Sequence, residues 1–195
     1  MRKVGIMGGT FDPIHIGHML AATAAMEGAN LDEVWFIPAN TPPLKPNAPK
    51  ASPEQRLKMV QLAISGRPHF HALDIELKRT GTSYSFDTVT TLLQLYKDVE
   101  LYYIIGSDRV HDLSSWYKAE QLRDLIGFIG LNRAGEPLNM DSMSSEWKQK
   151  IHIVPMPLIE ISSTMIRSRL ARNQSIDYYC PEVVVSYIKE QRLYE

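Results

Sequence analysis

One cysteine, Cys180, is all that 195 residues contain, so no internal disulfide can staple the chain and a reducing compartment is its simplest setting. No apolar run approaches the roughly 20 residues that cross a bilayer. The stretch from Met1 to Leu20 is broken by Gly8, Gly9, Asp12, Pro13 and two histidines, which excludes the unbroken apolar segment of a signal peptide. An excess of one charge is missing too. With 21 Lys+Arg against 22 Asp+Glu, the net charge of -1 supplies no overall field for nucleic acid or an anionic membrane. There is no low-complexity run, internal repeat or linker. What these absences leave is a soluble, cytoplasmic globular protein, 44% hydrophobic, long enough to bury a core without metal or disulfide.

Alternation of two patterns fills that length. Lys3 to Met7 is a short apolar run ending in Gly8-Gly9, and the Ala-, Met- and Leu-rich stretch from Gly17 to Glu27 follows as a helix. Glu33 to Ile37 is a β-branched and aromatic strand stopped by Pro38, and a Pro-rich loop from Asn40 leads to Ser52, the N-cap of a helix opening at Pro53. The same reading makes His69 to Leu77 extended, Ser83 to Tyr96 helical and Val99 to Ile105 a strand closed by Gly106. Ile126 to Leu131 and Ile151 to Val154 give two more strands, and Ser162 to Ala171 and Pro181 to Gln191 two more helices. Strands alternating with helices predict βαβ units: a Rossmann-like, doubly wound α/β fold with a parallel sheet and helices on both faces. Gly8-Gly9, Pro38-Ala39-Asn40 and Gly106-Ser107-Asp108 then all fall at carboxyl ends of strands, where such sheets bind ligands.

The first of these ends carries the strongest signal. Gly8-Gly9-Thr10-Phe11-Asp12-Pro13 permits a tight turn, and His15-Ile16-Gly17-His18 opens the helix with both histidines on one face. A helix start offers unpaired N–H groups and a positive dipole end, and two imidazoles add donors able to carry charge, which suits phosphate. A pair of histidines alone more often satisfies local hydrogen bonds. The glycines do not follow Gly-x-Gly-x-x-Gly, and no acid closes the second strand, which argues against a dinucleotide-binding dehydrogenase. A second helix start, Ile161-Ser162-Ser163-Thr164-Met165-Ile166-Arg167, combines capping hydroxyls with an arginine one turn inside; by itself that also describes a capped surface helix.

Gly8 to His18 resembles the signature of the nucleotidyltransferase superfamily with a His-x-Gly-His motif, and the chain more narrowly resembles the bacterial nicotinate-nucleotide adenylyltransferases. The likeness continues through Phe36 to Pro43, Gly81 to Thr88, Ile105 to Asp108 and Ile161 to Arg167. It implies one nucleotidyltransferase domain over residues 1–195, with the helices from about 162 to 195 packed as an extension. It further implies transfer of the adenylyl group of ATP to nicotinate mononucleotide, with Mg2+ accompanying ATP. By position, Gly8, Gly9, Thr10, Phe11, His15, His18, Gly106, Asp108, Ile161, Ser162, Ser163, Thr164 and Arg167 become the ATP site. Asn40, Lys45, Tyr84, Ser85, Trp116, Tyr117 and Arg133 become the acceptor site, with Trp116 stacking on the pyridine ring and the helix start at Ser83 to Ser85 meeting its carboxylate.

His15, His18, Lys45 and Arg167 are expected to stabilise charge during in-line attack by the acceptor's phosphate on the α-phosphorus. That chemistry needs no serine, cysteine or dedicated base, because a phosphate monoester is already nucleophilic at neutral pH. Two departures from the family stand out: Leu44 replaces a histidine before Lys45, and Ser85 replaces a threonine. Competing readings are adenylyl transfer to phosphopantetheine or nicotinamide mononucleotide, a regulatory nucleotide-binding module, and a class I aminoacyl-tRNA synthetase fragment. The last lacks its Lys-Met-Ser-Lys-Ser loop. The expected partners are the two substrates, without nucleic acid or membrane, and a homo-oligomer is compatible with the sequence.

Overall fold

The computed structural model describes residues 1–41, 48–133 and 140–194, with Arg133 given by its backbone alone. Strands β1 (Arg2–Gly9), β2 (Glu33–Pro38), β3 (Phe70–Ala72), β4 (Val99–Gly106), β5 (Gly127–Arg133) and β6 (Ile151–Met156) form one sheet in the order β3-β2-β1-β4-β5-β6. All neighbouring pairs are parallel. Strand β1 therefore has β2 on one side and β4 on the other, and the order reverses between β1 and β4. That is the switch point of a Rossmann-like sheet, where the loops beyond β1 and β4 diverge and leave a crevice.

Period-two alternation sorts the strands' side chains into two cores. Val34 and Phe36 of β2 face one side, while Trp35 and Ile37 face the other. The first core is covered by α1 (Ile16–Gly28), α2 (Pro53–Ala63), α7 (Ser163–Leu170) and α8 (Glu182–Glu190). Met19, Ala22 and Ala25 point inward from α1, at the spacing of one helical face. Ile166 of α7 and Val184, Val185 and Ile188 of α8 lie in the same core as Ile14 and Met59. The second core receives Val89 and Leu92 from α3 (Ser85–Leu95), Val110 from α4 (Ser107–Val110), Ala119 and Leu122 from α5 (Ala119–Leu125) and Trp147 from α6 (Ser145–Lys148).

The start of α2 follows its local sequence. Ser52 Oγ accepts from the Gln55 N–H at 3.2 Å, Gln55 Oε1 accepts from the Ser52 N–H at 2.9 Å, and Pro53 takes a first-turn position where no N–H is missed. Elsewhere the structure corrects the sequence reading. Of the extended segment expected over His69 to Leu77, only Phe70–Ala72 is strand, and the chain then turns, with the Lys78 N–H on Asp74 O at 3.2 Å. The cause is Glu76, a carboxylate buried by the turn and bonded to the Thr88 hydroxyl at 2.6 Å. The short helices α4, α5 and α6 were not foreseen, because four to seven residues hold too little periodicity to register.

Candidate active site

The ends of β1, β2 and β4 converge. Ala39 N–H donates to Gly9 O at 2.8 Å, which ties the end of β2 to the first turn. Gly8 lies under the Tyr103 hydroxyl of β4 so closely that a Cβ would collide with it. Beneath this junction Arg56 is completely buried, its Nη1 donating to Thr10 O at 2.8 Å and to Ala39 O at 2.7 Å. Phe11 takes a left-handed backbone conformation, φ 49°, and its buried ring packs edge-on against His18 and tilted against Phe36.

His15 and His18 stack with ring centroids 3.7 Å apart. His15 caps α1, and its N–H donates to His18 Nδ1 at 3.2 Å. Because that nitrogen accepts, the proton of a neutral His18 resides on Nε2, which makes Nε2–H the donor a ligand meets. Burial pushes the His15 imidazole down to about 4, so it is neutral at pH 7. This corrects the expectation of two imidazoles able to carry charge: His15 can offer hydrogen bonds and packing, not a cation. The helix start is also less open than a bare helix end. Ile16 N–H is already bonded to Tyr179 O and His18 N–H to His15 O, both at 2.9 Å. The N–H of Gly17 remains of the first turn, and a Cβ there would crowd the His15 ring at 3.0 Å.

The start of α7 docks directly on this turn. Ser163 Oγ donates to Pro13 O at 2.8 Å, and Arg167 Nη1 donates to Asp12 O at 2.7 Å. Ser162 caps the helix by accepting from Met165 N–H at 3.2 Å, and Arg167 Nη2 reaches Thr164 Oγ1 at 3.4 Å. The two segments assigned to ATP are thus in hydrogen-bonded contact although some 150 residues separate them in sequence. Their hydroxyls are partly committed to holding one another, and the N–H groups of Ser163 and Thr164, which no helical carbonyl can reach, are what the helix end offers an anion. Ile161 packs against the first core beside them.

Asp12 is buried and serves as a knot rather than as a turn residue. Its Oδ2 accepts from Lys50 N–H at 2.9 Å, and its Oδ1 from Ala51 N–H at 3.0 Å and the Tyr194 hydroxyl at 2.8 Å. At the end of β4, Gly106 leaves room for Asp108, whose Oδ1 would lie 2.5 Å from a Cβ at that glycine.

On the acceptor side, the rings of Tyr84 and Tyr117 lie 4.5 Å apart, and Trp116 packs edge-on against Tyr103 at 5.6 Å. The Trp116 Nε1 is buried without a hydrogen-bond partner among the described residues. Tyr84 is the N-cap residue of α3 and makes no side-chain cap, so the first N–H groups of that helix stay uncapped by it. Asn40 is committed to the scaffold: its Nδ2 donates to Arg79 O at 2.8 Å and its N–H to Ser83 Oγ at 3.1 Å. Lys45 and Leu44 lie outside the described residues, as does the side chain of Arg133. Trp147 is buried against Phe128, a core position as the sequence suggested.

Tyr103 is the residue that sequence reasoning missed. Its hydroxyl sits above Gly8 and against Ser85, and its ring meets Trp116, so one buried side chain links the first turn, the α3 start and the acceptor-side aromatics. Burial, with Glu76 nearby, holds its phenol above the ordinary range. The only available signal was its place two residues before the end of the central strand β4.

The cytidylyltransferase-like family model matches residues 6–169. Nicotinate-nucleotide adenylyltransferase of Bacillus subtilis (strain 168) is 42% identical over 195 residues, spanning 100% of both chains. A probable nicotinate-nucleotide adenylyltransferase of Oceanobacillus iheyensis is 42% identical over 194 residues, spanning 100% of this chain and 97% of its own. The chain belongs to the nicotinate-nucleotide adenylyltransferase family. Its fold agrees with a solved family structure: Plasmodium falciparum nicotinic acid mononucleotide adenylyltransferase complexed with APC superposes with a TM-score of 0.78 at 22% identity, covering 100% of this chain and 98% of that one. The same enzyme complexed with NaAD gives 0.76.

Among the described residues, no helix is long and apolar enough to cross a membrane, and no three or more His, Cys, Asp or Glu are grouped to hold a metal. Asp12, the carboxylate nearest the histidines in sequence, has both oxygens engaged by protein donors. This donor set fits a divalent ion that arrives on nucleotide phosphates, not one caged by protein.

Proposed function

We infer that this chain transfers the adenylyl group of ATP to nicotinate mononucleotide, releasing pyrophosphate and forming nicotinate adenine dinucleotide, a step of NAD biosynthesis in the cytoplasm. The observation that carries this reading is the docking of α7 on the first turn through Ser163 to Pro13 and Arg167 to Asp12, which puts two helix starts, a histidine pair and an arginine around one crevice. The full-length relatives bear the corresponding name.

A phosphate oxygen of the acceptor attacks the α-phosphorus, and the bond from that phosphorus to the bridging oxygen breaks, so pyrophosphate leaves. No covalent enzyme intermediate is needed. His18 Nε2–H donates to the phosphate charge that grows at the reacting centre, while neutral His15 holds the His18 ring by stacking and by its backbone N–H. Arg167 and the N–H groups at the start of α7 bind the leaving phosphates, and Lys45 supplies a further cation there. Gly8, Gly9, Thr10 and Phe11 shape the turn over the nucleotide, with Gly106 and Asp108 at the adenosine and Ile161 to Thr164 along the phosphates. Mg2+, bound by ATP oxygens and water, adds charge neutralisation. On the acceptor, Trp116 stacks on the pyridine ring, Tyr84, Ser85 and Tyr117 surround its carboxylate, and Asn40 and Arg133 complete the pocket.

The test is an assay of purified protein with ATP and Mg2+, following pyrophosphate and dinucleotide together. Nicotinate mononucleotide should yield both in equal amounts and phosphopantetheine neither. Failure of nicotinate mononucleotide to release pyrophosphate overturns the reading.

A further inference from the structure

Asp12 joins the first turn to a part of the chain that no motif includes. Beyond α8 the backbone reverses, with Leu193 N–H on Ile188 O at 3.0 Å and Leu193 buried in the first core. Arg192 and Tyr194 both adopt left-handed conformations, φ 49° and 70°, which non-glycine residues take at a cost. The reversal carries the Tyr194 hydroxyl to Asp12 Oδ1, 2.8 Å away across 182 positions of sequence.

That contact decides how tightly Asp12 holds Arg167. The buried carboxylate has three neutral donors, from Lys50, Ala51 and Tyr194, and Arg167 Nη1 stays 3.8 Å from its Oδ2 while donating instead to the Asp12 carbonyl. Saturated in this way, the carboxylate steers the guanidinium without capturing it, and Arg167 keeps part of its surface open to solvent. Without the phenol, Oδ1 loses a donor, and the nearest group able to compensate is the Arg167 fork.

We propose that Tyr194 is a positioning residue for the nucleotide: by hydrogen-bonding Asp12 it keeps Arg167 free to bind the ATP phosphates. The proposal rests on the assignment of ATP to this crevice, but not on the identity of the acceptor. The Tyr194 phenol stays protonated, since burial and the adjacent carboxylate both raise its pKa, so the donor is present throughout the neutral range.

The experiment compares wild type with Tyr194→Phe, which keeps the ring and removes the hydroxyl. ATP binding is measured by calorimetry without acceptor, alongside the KM for each substrate. The dissociation constant for ATP should rise about threefold to tenfold, the loss expected for one hydrogen bond to a charged group. The KM for nicotinate mononucleotide should not change. Unchanged ATP affinity overturns the proposal, and so does equal weakening toward both substrates, the mark of a general structural defect. Hydrogen exchange on the wild-type protein covers the case of a poorly folded variant: ATP should slow exchange of the Leu193 and Tyr194 amides, and unaltered exchange counts against the proposal. A wild type that binds ATP tightly yet ignores nicotinate mononucleotide would refute the acceptor assignment while leaving this one standing.

Discussion

His15 donates its backbone N–H to His18 Nδ1 while the two rings stack, so one histidine fixes both the orientation and the tautomer of the other. The pair is asymmetric: His15 is buried and neutral, and His18, half-buried, presents its Nε2 proton. Of the motif's two imidazoles, one belongs to the scaffold and one to the chemistry.

Replacing His18 by alanine should therefore lower kcat by about a hundredfold to a thousandfold, the effect of deleting one preorganised donor to developing charge. Stability should change by less than about 1 kcal/mol, since the ring is only half-buried. Steady-state kinetics paired with thermal melts checks both. Wild-type turnover in a folded His18→Ala protein contradicts the role.

His15 predicts a pH dependence of stability. Its folded-state pKa, about 4, lies below the ordinary 6.5, so on acidification the unfolded chain takes up this proton first. The associated stability is fully present above pH 6.5 and is lost as pH falls toward 4, by an amount on the order of 2–3 kcal/mol. Urea unfolding of wild type and His15→Asn at pH 7, 5.5 and 4.5 isolates it. The gap between the two proteins should narrow with falling pH, and a constant gap contradicts the burial argument.

The first turn was legible because each step of it has a local cause: a strand, two small residues, then a helix start. Ser52 and Pro53 were legible for the same reason. The Asp12 knot was not, since a carboxylate after Phe11 reads as a turn residue until Lys50, Ala51, Arg167 and Tyr194 arrive from three distant segments. Tyr103 was likewise invisible: in β4 it is one more aromatic on the second core's face, and only the sheet order places it over Gly8 and beside Trp116. The turn at Glu76 was read as strand because burial of that carboxylate depends on Thr88 in another element.

Arg56 should be the most expensive polar side chain to remove. Methionine there fills similar space but abandons the carbonyls of Thr10 and Ala39 inside the protein. Unsatisfied buried acceptors of this kind cost about 1–3 kcal/mol each. Denaturant unfolding of Arg56→Met should show a loss of about 3 kcal/mol. A loss below 1 kcal/mol contradicts the view that this guanidinium braces the first turn.

Trp116 should separate the two substrates. Truncation to leucine removes a stacking surface worth about 1–3 kcal/mol per ring. The KM for nicotinate mononucleotide should rise at least about tenfold, with the KM for ATP changing less than twofold. Equal increases for both would return Trp116 to a purely packing role against Tyr103.

The most direct test is competition between two acceptors that differ only in the pyridine substituent. The helix start at Tyr84 and Ser85 offers uncapped N–H groups that stabilise a carboxylate and gain little from a neutral amide. Measured with ATP and Mg2+ in one reaction mixture, kcat/KM for nicotinate mononucleotide should exceed that for nicotinamide mononucleotide by about a hundredfold or more. Equal use of the two acceptors, or a preference for the amide, contradicts the account.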